Sequence, residues 1–431
     1  MQFSKFSNHF NANSGILQLM NDLGEAVNPD VEWQMLGGGN PASIPHMEAI
    51  FREEMMHFMN EPREFESMIG NYDSPQGSHR LIDALVNLFN NMFESHVDSR
   101  ENRSSLINPG NIAITNGSQA SFSILFNLFA GEFPGGRKKK ILLPMAPEYI
   151  GYNDVGLGED PLFISNKPII EHQTDDSLFY KYRVDFDSLN ISDSIGAICV
   201  SRPTNPTGNV ITDNELSKLS GIAQKTGIPL ILDGAYGLPF PNIIFSDAKP
   251  VWNENTILCL SLSKLGLPGV RTGIVVAHEK VIEKLTGANA IYNLSPGRFG
   301  PALVTRLVEN QELIPLCKKV IKLYYKEKSI HAISLIRQSM NGLPVQVHLS
   351  EGAIFLWLWF KDLPISSETL YQRLKKRGVM VISGHHFFPG LIEDWKHMHQ
   401  CIRVSYAADN IQLEKGIEII AKEVRRAYHS G

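Results

Sequence analysis

The sequence predicts an α/β protein with a mainly parallel central sheet in a large domain and a second, small α+β domain. Through the middle of the chain, short apolar runs rich in β-branched residues alternate with stretches of helical periodicity. Polar residues follow several of these runs directly, as they do at the carboxyl ends of parallel strands. A chain of 431 residues, 43% hydrophobic and 20% charged, is also long and apolar enough for a large and a small lobe.

Short apolar runs mark the strands of the predicted large domain. They span residues 111–115, 140–144, 196–201, 228–233, 256–262 and 273–277. Between two of these runs, the sequence Thr212-Asp213-Asn214-Glu215 resembles a capping box, the signal with which many helices begin. Leu216, Leu219 and Ile222 then continue on one helical face. This alternation of strand and helix favours a parallel sheet covered by helices.

The last third of the chain predicts the smaller domain. Its expected elements are a long helix over 320–338, a strand over 352–360 and an amphipathic helix over 412–428. No Gly/Ser-rich linker separates two independent halves, so the two domains must share chain segments. We place the large domain at residues 46–300 and the small domain at 1–45 and 301–431.

Composition and charge exclude several classes of protein. The net charge of −5, with both signs interspersed, lacks the basic stripe that binds nucleic acid. The four cysteines lie far apart, so neither a zinc site nor a disulfide framework is expected. Residues 1–14 lack a secretion signal, and the apolar run 353–360 is too short to span a bilayer. We therefore expect a cytoplasmic protein that acts on small molecules, without nucleic-acid or membrane partners.

Two polar residues at the ends of predicted strands suit the chemistry of a pyridine aldehyde. Lys264 follows the run 256–262, where it can be desolvated and made nucleophilic toward an aldehyde. Asp233 ends another run and can keep a pyridine nitrogen protonated, which lets the ring accept electrons. Asn205 and Tyr236 can both hydrogen-bond a ring phenolate. Together these residues indicate pyridoxal 5′-phosphate as the cofactor.

A second group of residues suits the phosphate of the same cofactor. The N–H groups at a predicted helix start, together with hydroxyl groups and a guanidinium, can cradle a phosphate. The residues concerned are Gly117, Ser118, Gln119, Ser261, Ser263 and Arg271. Each piece alone is also a common turn or surface sequence, and it is their order and their strand-end placement that favour a binding site.

In this order, the motifs resemble the class I and II aminotransferases of fold type I. The motifs are Asn205-Pro206-Thr207-Gly208, Asp233-Gly234-Ala235-Tyr236, Ser261-Leu262-Ser263-Lys264 and Arg271. The resemblance covers nearly the whole chain and implies the fold of a fold type I transferase that depends on pyridoxal phosphate. It also implies amino-group transfer between an amino acid and a 2-oxo acid, with Lys264, Asp233 and Tyr236 as catalytic residues. Arg271 follows the lysine by seven residues where many members have eight, and its phosphate role is kept.

The resemblance assigns roles to five further positions. Tyr72 resembles the tyrosine that reaches the phosphate from the partner subunit, which implies a homodimer. Tyr149 resembles the aromatic residue stacked on the cofactor ring. Arg403 resembles the arginine that binds the substrate α-carboxylate, a task that its planar fork suits. Gly38 and Gly39 offer backbone N–H groups to the same carboxylate, and Asn205 is expected beside the substrate as well.

Other functions remain compatible with parts of the sequence. The same cofactor cradle serves a fold type I lyase that cleaves C–S bonds, and a non-catalytic regulator can reuse the fold. Ser261 and Lys264 also form an S-x-x-K string like that of penicillin-recognising enzymes, but the K-T-G at 225–227 stands on the wrong side of it. His385 and His386 lack further ligands at suitable spacing, so we predict no metal site.

Overall fold

The structure is a computed structural model that describes residues 7, 15–17, 20–21, 32–94, 106–158 and 160–429. Its strands in chain order are β1 (Gln34–Met35), β2 (Ile112–Thr115), β3 (Gly131–Phe133), β4 (Arg137–Leu143), β5 (Phe163–Ser165), β6 (Ile169–His172), β7 (Phe179–Arg183), β8 (Ile195–Ser201), β9 (Leu230–Asp233), β10 (Thr256–Ser261), β11 (Gly273–Val276), β12 (Val345–His348), β13 (Phe355–Phe360), β14 (Val379–Met380), β15 (Ile382–Ser383) and β16 (Cys401–Ser405). Its α-helices are α1 (Pro45–Asn60), α2 (Glu64–Gly70), α3 (His79–Glu94), α4 (Ser118–Phe129), α5 (Asp213–Thr226), α6 (Glu279–Asn293), α7 (Phe299–Glu309), α8 (Leu313–Leu316), α9 (Lys322–Ser339), α10 (Ser367–Lys375) and α11 (Asn410–His429).

The central sheet carries the strands that the sequence predicts, and the α/β prediction is confirmed. Its strands lie side by side in the order β2, β11, β10, β9, β8, β4 and β3, and β5 adds to β4. Neighbours from β10 to β5 run parallel, whereas β11 runs against both β10 and β2. β2 therefore points the same way as β8, β9 and β10, and their carboxyl ends share one edge.

Both faces of the central sheet are buried, which explains why its strands are continuously apolar. Successive side chains of β8 point to opposite faces. Ile198 and Val200 pack in one apolar cluster together with Leu216 of α5, while Cys199 packs in the other with Phe122 of α4. The helices on the two faces thereby fix the strand ends that carry polar residues.

A second sheet contains most of the C-terminal strands. Its order is β15, β16, β13, β12, β7 and β6, and β1 pairs with β14 in a separate short ribbon. The hairpin β6–β7 comes from the middle of the chain, inside the predicted large domain, yet β7 pairs with β12. The domain limits at 46–300, 1–45 and 301–431 stay a prediction. The hairpin β6–β7 belongs to the second sheet, which the sequence pattern did not predict.

Local signals explain where several elements begin. Thr212 accepts a hydrogen bond from the Glu215 N–H, and the Glu215 carboxylate accepts one from the Thr212 N–H, so the predicted capping box at the start of α5 is present. The helix ends at Gly227, which adopts φ 69°. Among the residues that the structure describes, no helix has both the length and the apolar character needed to cross a membrane.

Candidate active site

Strand register brings the polar ends of the central strands together. Ser201 of β8 lies opposite Asp233 of β9. On the next strands, Gly273 lies between Ser261 of β10 and Thr115 of β2. Because these residues end parallel strands or begin the opposed strand β11, they all lie at one edge of the sheet. Ligands of open α/β sheets bind at this edge, and a cavity lies there.

The cavity has a volume of about 490 Å³, which suits a cofactor together with a small substrate. Most of the residues that the sequence predicts for the site line it: Gly39, Ser118, Gln119, Tyr149, Asn205, Asp233, Tyr236, Ser261, Ser263, Lys264, Arg271 and Arg403. Gly38 and Tyr72 are not part of the described cavity wall, and Gly117 lies behind Arg271. Residues separated by up to several hundred positions in the chain thus meet in one place.

Lys264 stands at the centre of this cavity. A short 3₁₀ turn, Ser263–Leu265, follows β10, and the side chain reaches the segment that follows β1. There Nζ donates to the Gly39 carbonyl at 2.5 Å and lies 5.3 Å from the centre of the Tyr236 ring. Burial lowers the pKa of the Lys264 amine to about 8, and the cationic Arg403 and Arg271 act in the same direction. The amine therefore loses its proton more readily than an exposed lysine does, which makes it more nucleophilic near neutral pH.

Each oxygen of the Asp233 carboxyl accepts one hydrogen bond. The Ala235 N–H donates to Oδ1 at 2.9 Å, and the Tyr152 hydroxyl donates to Oδ2 at 2.7 Å. Burial raises the pKa of the Asp233 carboxyl, and these two hydrogen bonds oppose that rise. The side chain is buried yet lines the cavity, so its charge faces whatever ring occupies the space.

Arg403 is a buried cation that calls for an anionic ligand. The residue is only 2% exposed, and it donates to Asn205 Oδ1 at 2.6 Å and to the Gly37 carbonyl at 2.7 Å. Its guanidinium lies 4.0 Å from the centre of the Phe355 ring. Nε has no hydrogen-bond partner, and no carboxylate pairs with Arg403 among the described residues. A buried charge without a counter-ion is costly, so a substrate carboxylate fits this position.

The phosphate end of the cavity lies at the start of α4. No side chain caps this helix, whose first residue, Ser118, follows Gly117 at φ 91°. A Cβ atom on Gly117 would lie 2.5 Å from Nη2 of Arg271, so the guanidinium occupies the space that only glycine leaves free. Free N–H groups at a helix start, together with Arg271 and the hydroxyls of Ser261 and Ser263, form a cradle that suits a phosphate. The residues present therefore fit pyridoxal phosphate.

Tyr72 lies outside the cavity within a single chain. The residue is 78% exposed in the single chain. The Gly39 carbonyl accepts from Lys264 and the Gly37 carbonyl accepts from Arg403, while the use of the Gly38 and Gly39 N–H groups for a carboxylate stays a prediction. This one glycine segment therefore contacts both cations of the site.

Several residues at or beside the cavity were not predicted from the sequence. Ser201, the last residue of a predicted strand, lines the cavity. It could have been predicted by the strand-end rule that predicted Asp233, namely that polar residues at the carboxyl ends of parallel strands line the site. Tyr152 gave no such signal, because it lies in a short 3₁₀ turn between elements. Met20, from the N-terminal part of the chain, also lines the cavity. No spacing rule links residues so distant from the motifs.

Outside this cavity, two other groups of reactive side chains bear on the sequence predictions. Glu368, His385 and His386 place one potential metal-ligand atom each within 4.8 Å of one another, and the sequence did not suggest that Glu368 joins the two histidines. The prediction of no metal site stays untested. The four cysteines, all described by the structure, are free and buried.

The chain matches the family Aminotransferase class I and II over residues 53–420. It is 48% identical over 428 residues to the valine–pyruvate aminotransferase of Escherichia coli (strain K12), with 99% of each chain covered. The crystal structure of a valine–pyruvate aminotransferase from Salmonella typhimurium LT2 has 47% sequence identity and a TM-score of 0.85, covering 97% of this chain and 100% of that one. An α-aminoadipate aminotransferase from Thermus thermophilus, complexed with N-(5′-phosphopyridoxyl)-L-leucine, shares only the fold: 19% identity, a TM-score of 0.78, and 100% and 98% coverage.

Proposed function

Because this chain belongs to the class I and class II aminotransferases, we propose that it converts L-valine and pyruvate to 2-oxoisovalerate and L-alanine. Its cofactor is pyridoxal 5′-phosphate. The observation that carries the substrate assignment is the similarity to valine–pyruvate aminotransferase from end to end. The strings that strengthen it are residues 36–41, 146–152, 200–212, 261–269 and 351–363, which resemble that enzyme beyond the catalytic motifs.

The cavity residues take their roles from their chemistry. When bound, pyridoxal phosphate supplies an aldehyde that condenses with amino groups and a pyridine ring that accepts the electron pair left by the α-proton. Arg403 binds the substrate carboxylate and so fixes the α-carbon within reach of Lys264. Lys264 Nζ removes the α-proton and returns it on the other side of the carbon–nitrogen bond. One flexible amine can serve both positions.

The remaining residues hold and tune the ring. Asp233 keeps a proton at the ring nitrogen, as a buried carboxylate at the cavity wall can. Burial raises the pKa of Tyr236 well above its usual range, so its hydroxyl stays protonated and donates to the ring oxygen together with Asn205. Tyr149, which lines the cavity, would stack on the ring. The phosphate is held by Gly117, Ser118, Gln119, Ser261, Ser263 and Arg271.

We further propose a cytoplasmic homodimer in which Tyr72 completes the neighbouring site. Support comes from the exposure of Tyr72 and of apolar side chains on nearby elements. These are Met56, Met59, Ile69, Tyr292, Leu294 and Phe299, each at least 48% exposed. An exposed apolar surface of this kind is characteristic of a protein–protein interface. A cytoplasmic location agrees with four buried, free cysteines.

The direct experiment is a visible absorption spectrum of the purified protein before and after L-valine, and then after pyruvate, with products identified by mass spectrometry. We expect a cofactor band that valine removes and pyruvate restores, with 2-oxoisovalerate and alanine as products. A cofactor band that persists with valine but disappears with a different amino acid would overturn the substrate assignment alone. Pyruvate and ammonia released from cystathionine would indicate a C–S lyase. A protein that binds no pyridoxal phosphate would refute the whole proposal, and Lys264→Ala serves as the inactive control.

A further inference from the structure

Beneath the floor of the cavity, four polar side chains form a continuous buried chain from Glu148 through Ser201 and Tyr152 to Asp233. Glu148 and Tyr152 are each 0% exposed, and Ser201 is 2% exposed. Only Asp233 and Ser201 reach the cavity wall. Polar groups removed from water in this way are normally retained for the hydrogen bonds that they make.

Tyr152 makes the contact that matters for the cofactor. Its hydroxyl donates to Asp233 Oδ2 at 2.7 Å, while the Ala235 N–H occupies Oδ1. The two donors come from different segments, since Tyr152 follows β4 and Ala235 follows β9. With one donor on each oxygen, the plane of the carboxylate cannot rotate freely. A hydrogen bond to the charged form also favours ionisation, against the burial that raises the pKa of Asp233.

The position of the Tyr152 hydroxyl is itself fixed from behind. Ser201 Oγ lies 3.4 Å from the tyrosine oxygen and 2.5 Å from Oε2 of Glu148, and the Ser201 N–H donates to Oε1 of Glu148 at 2.9 Å. The Glu148 N–H donates to the Phe387 carbonyl at 2.8 Å, which ties this chain to the second sheet's side of the cavity. Burial raises the pKa of Glu148 to about 8, so at neutral pH this carboxyl mostly keeps its proton. It can donate that proton to Ser201 Oγ, which leaves the serine hydroxyl hydrogen for the oxygen of Tyr152.

The ring of Tyr152 needs no hydroxyl for its packing. It contacts Phe122, Phe126 and Phe163 at centroid distances between 5.0 and 6.0 Å. Phenylalanine would fill this apolar pocket equally well, because the ring contacts are the same. A structural role alone therefore explains an aromatic residue here but leaves the hydroxyl without a purpose.

We propose that Tyr152 is a positioning residue for Asp233, whose carboxylate it orients toward the ring nitrogen of the cofactor, with Ser201 and Glu148 holding the tyrosine hydroxyl in place. This inference rests on the proposed function, in which Asp233 keeps that nitrogen protonated. Tyr152 does not touch the reacting atoms, so its effect passes entirely through Asp233.

The test compares Tyr152→Phe with Tyr180→Phe. Tyr180 is a matched control because it is equally buried and its hydroxyl contacts another side chain, Tyr182, at 3.3 Å in the second sheet, away from the cavity. The measurements are the dissociation constant of pyridoxal phosphate from the apo-protein, and kcat and KM for L-valine. We expect Tyr152→Phe to weaken cofactor binding and lower kcat, each about tenfold, the size of one hydrogen bond to a charged group. KM for valine should stay within about twofold, and Tyr180→Phe should match the wild type.

Cofactor affinity and kcat indistinguishable between the two variants would overturn the inference. A rise in the KM for valine with unchanged cofactor affinity would overturn it too, since Arg403 and not Asp233 would then be affected. If Tyr152→Phe does not fold, Ser201→Ala decides. A smaller loss of cofactor affinity and of kcat supports the proposal that Ser201 holds the Tyr152 hydroxyl, and wild-type values of both refute it. The wild type is measured first, because a wild type that binds no cofactor refutes the proposed function instead.

Discussion

The ionisation of Glu148 should make the free energy of unfolding depend on pH. Its pKa is raised from 4.5 to about 8, chiefly by burial and also by the nearby Asp233. The folded chain therefore binds this proton more tightly than the unfolded chain does. Between these two pH values the folded state holds more protons, so the contribution of Glu148 to stability is full below pH 4.5 and is lost as the pH rises to about 8.

Glu148→Gln removes this titration and keeps the shape of the side chain. The melting temperature of the variant relative to the wild type should therefore rise between pH 5 and pH 8, as measured by thermal unfolding at each pH. Glu215→Gln is the control, since the pKa of Glu215 is lowered and its titration is complete below that range. A difference for Glu148→Gln that stays constant with pH would show that Glu148 is ionised in the folded protein.

Single residues were predictable where they obey the strand-end rule. Lys264, Asp233 and Ser261 follow apolar runs directly, and the structure brings them to one cavity. Tyr152 could not be predicted from the sequence, because a tyrosine between elements looks like any core aromatic residue. Its function depends on the packing that turns its hydroxyl toward Asp233, and no sequence pattern expresses that orientation.

At the scale of the element, the turn from β2 into α4 shows how a backbone conformation makes room for a side chain. Gly117→Ala should strain the turn at φ 91° and place a methyl group against the Arg271 guanidinium. We expect pyridoxal phosphate to bind about tenfold more weakly, in keeping with the loss of one charge-assisted contact. The measurement is a titration of the apo-protein with the cofactor.

Gly135→Ala is the matched control for this turn. Gly135 has φ 84°, so alanine is similarly strained there, but nothing lies within 4 Å of the added Cβ atom. Both variants should lose stability, whereas only Gly117→Ala should lose cofactor affinity. Equal affinities for the two variants would mean that Arg271 moves aside without consequence.

Elements were predictable where their own sequence specifies them. The capping box at Thr212 and the continuous apolar runs of β8 and β10 gave the helix and strands within a few residues. The sheet to which β6 and β7 belong was not predictable in the same way. Local patterns determine that a segment is extended, but the choice of partner strand depends on contacts with distant parts of the chain.

At the scale of the whole molecule, the proposed dimer predicts that two inactive variants can complement each other. If Tyr72 completes the site of the partner subunit, Lys264→Ala and Tyr72→Ala carry their defects in different halves of one shared site. Mixing and refolding the two variants should then produce hybrid dimers with one intact site and restore activity that neither homodimer has. Turnover of valine and pyruvate after mixing is the measurement.

Tyr72 acting within its own chain would give no recovery on mixing, since no hybrid would then contain an intact site. Co-refolding of wild type with Lys264→Ala provides the control for the yield of hybrids. Size-exclusion chromatography with light scattering establishes whether dimers are present before the mixture is assayed.

The pairing of β7 with β12 also has a consequence for biosynthesis. The hairpin leaves the ribosome long before its partner strand exists: the Tyr182 N–H and its acceptor, His348 Nε2, stand 166 positions apart. Until the later strand is translated, β7 is an unpaired edge with aromatic side chains, the kind of surface that associates with other nascent chains. Chaperone dependence during synthesis should therefore centre on residues 169–183, and a release of the chain before residue 345 should yield aggregates rather than a soluble large domain.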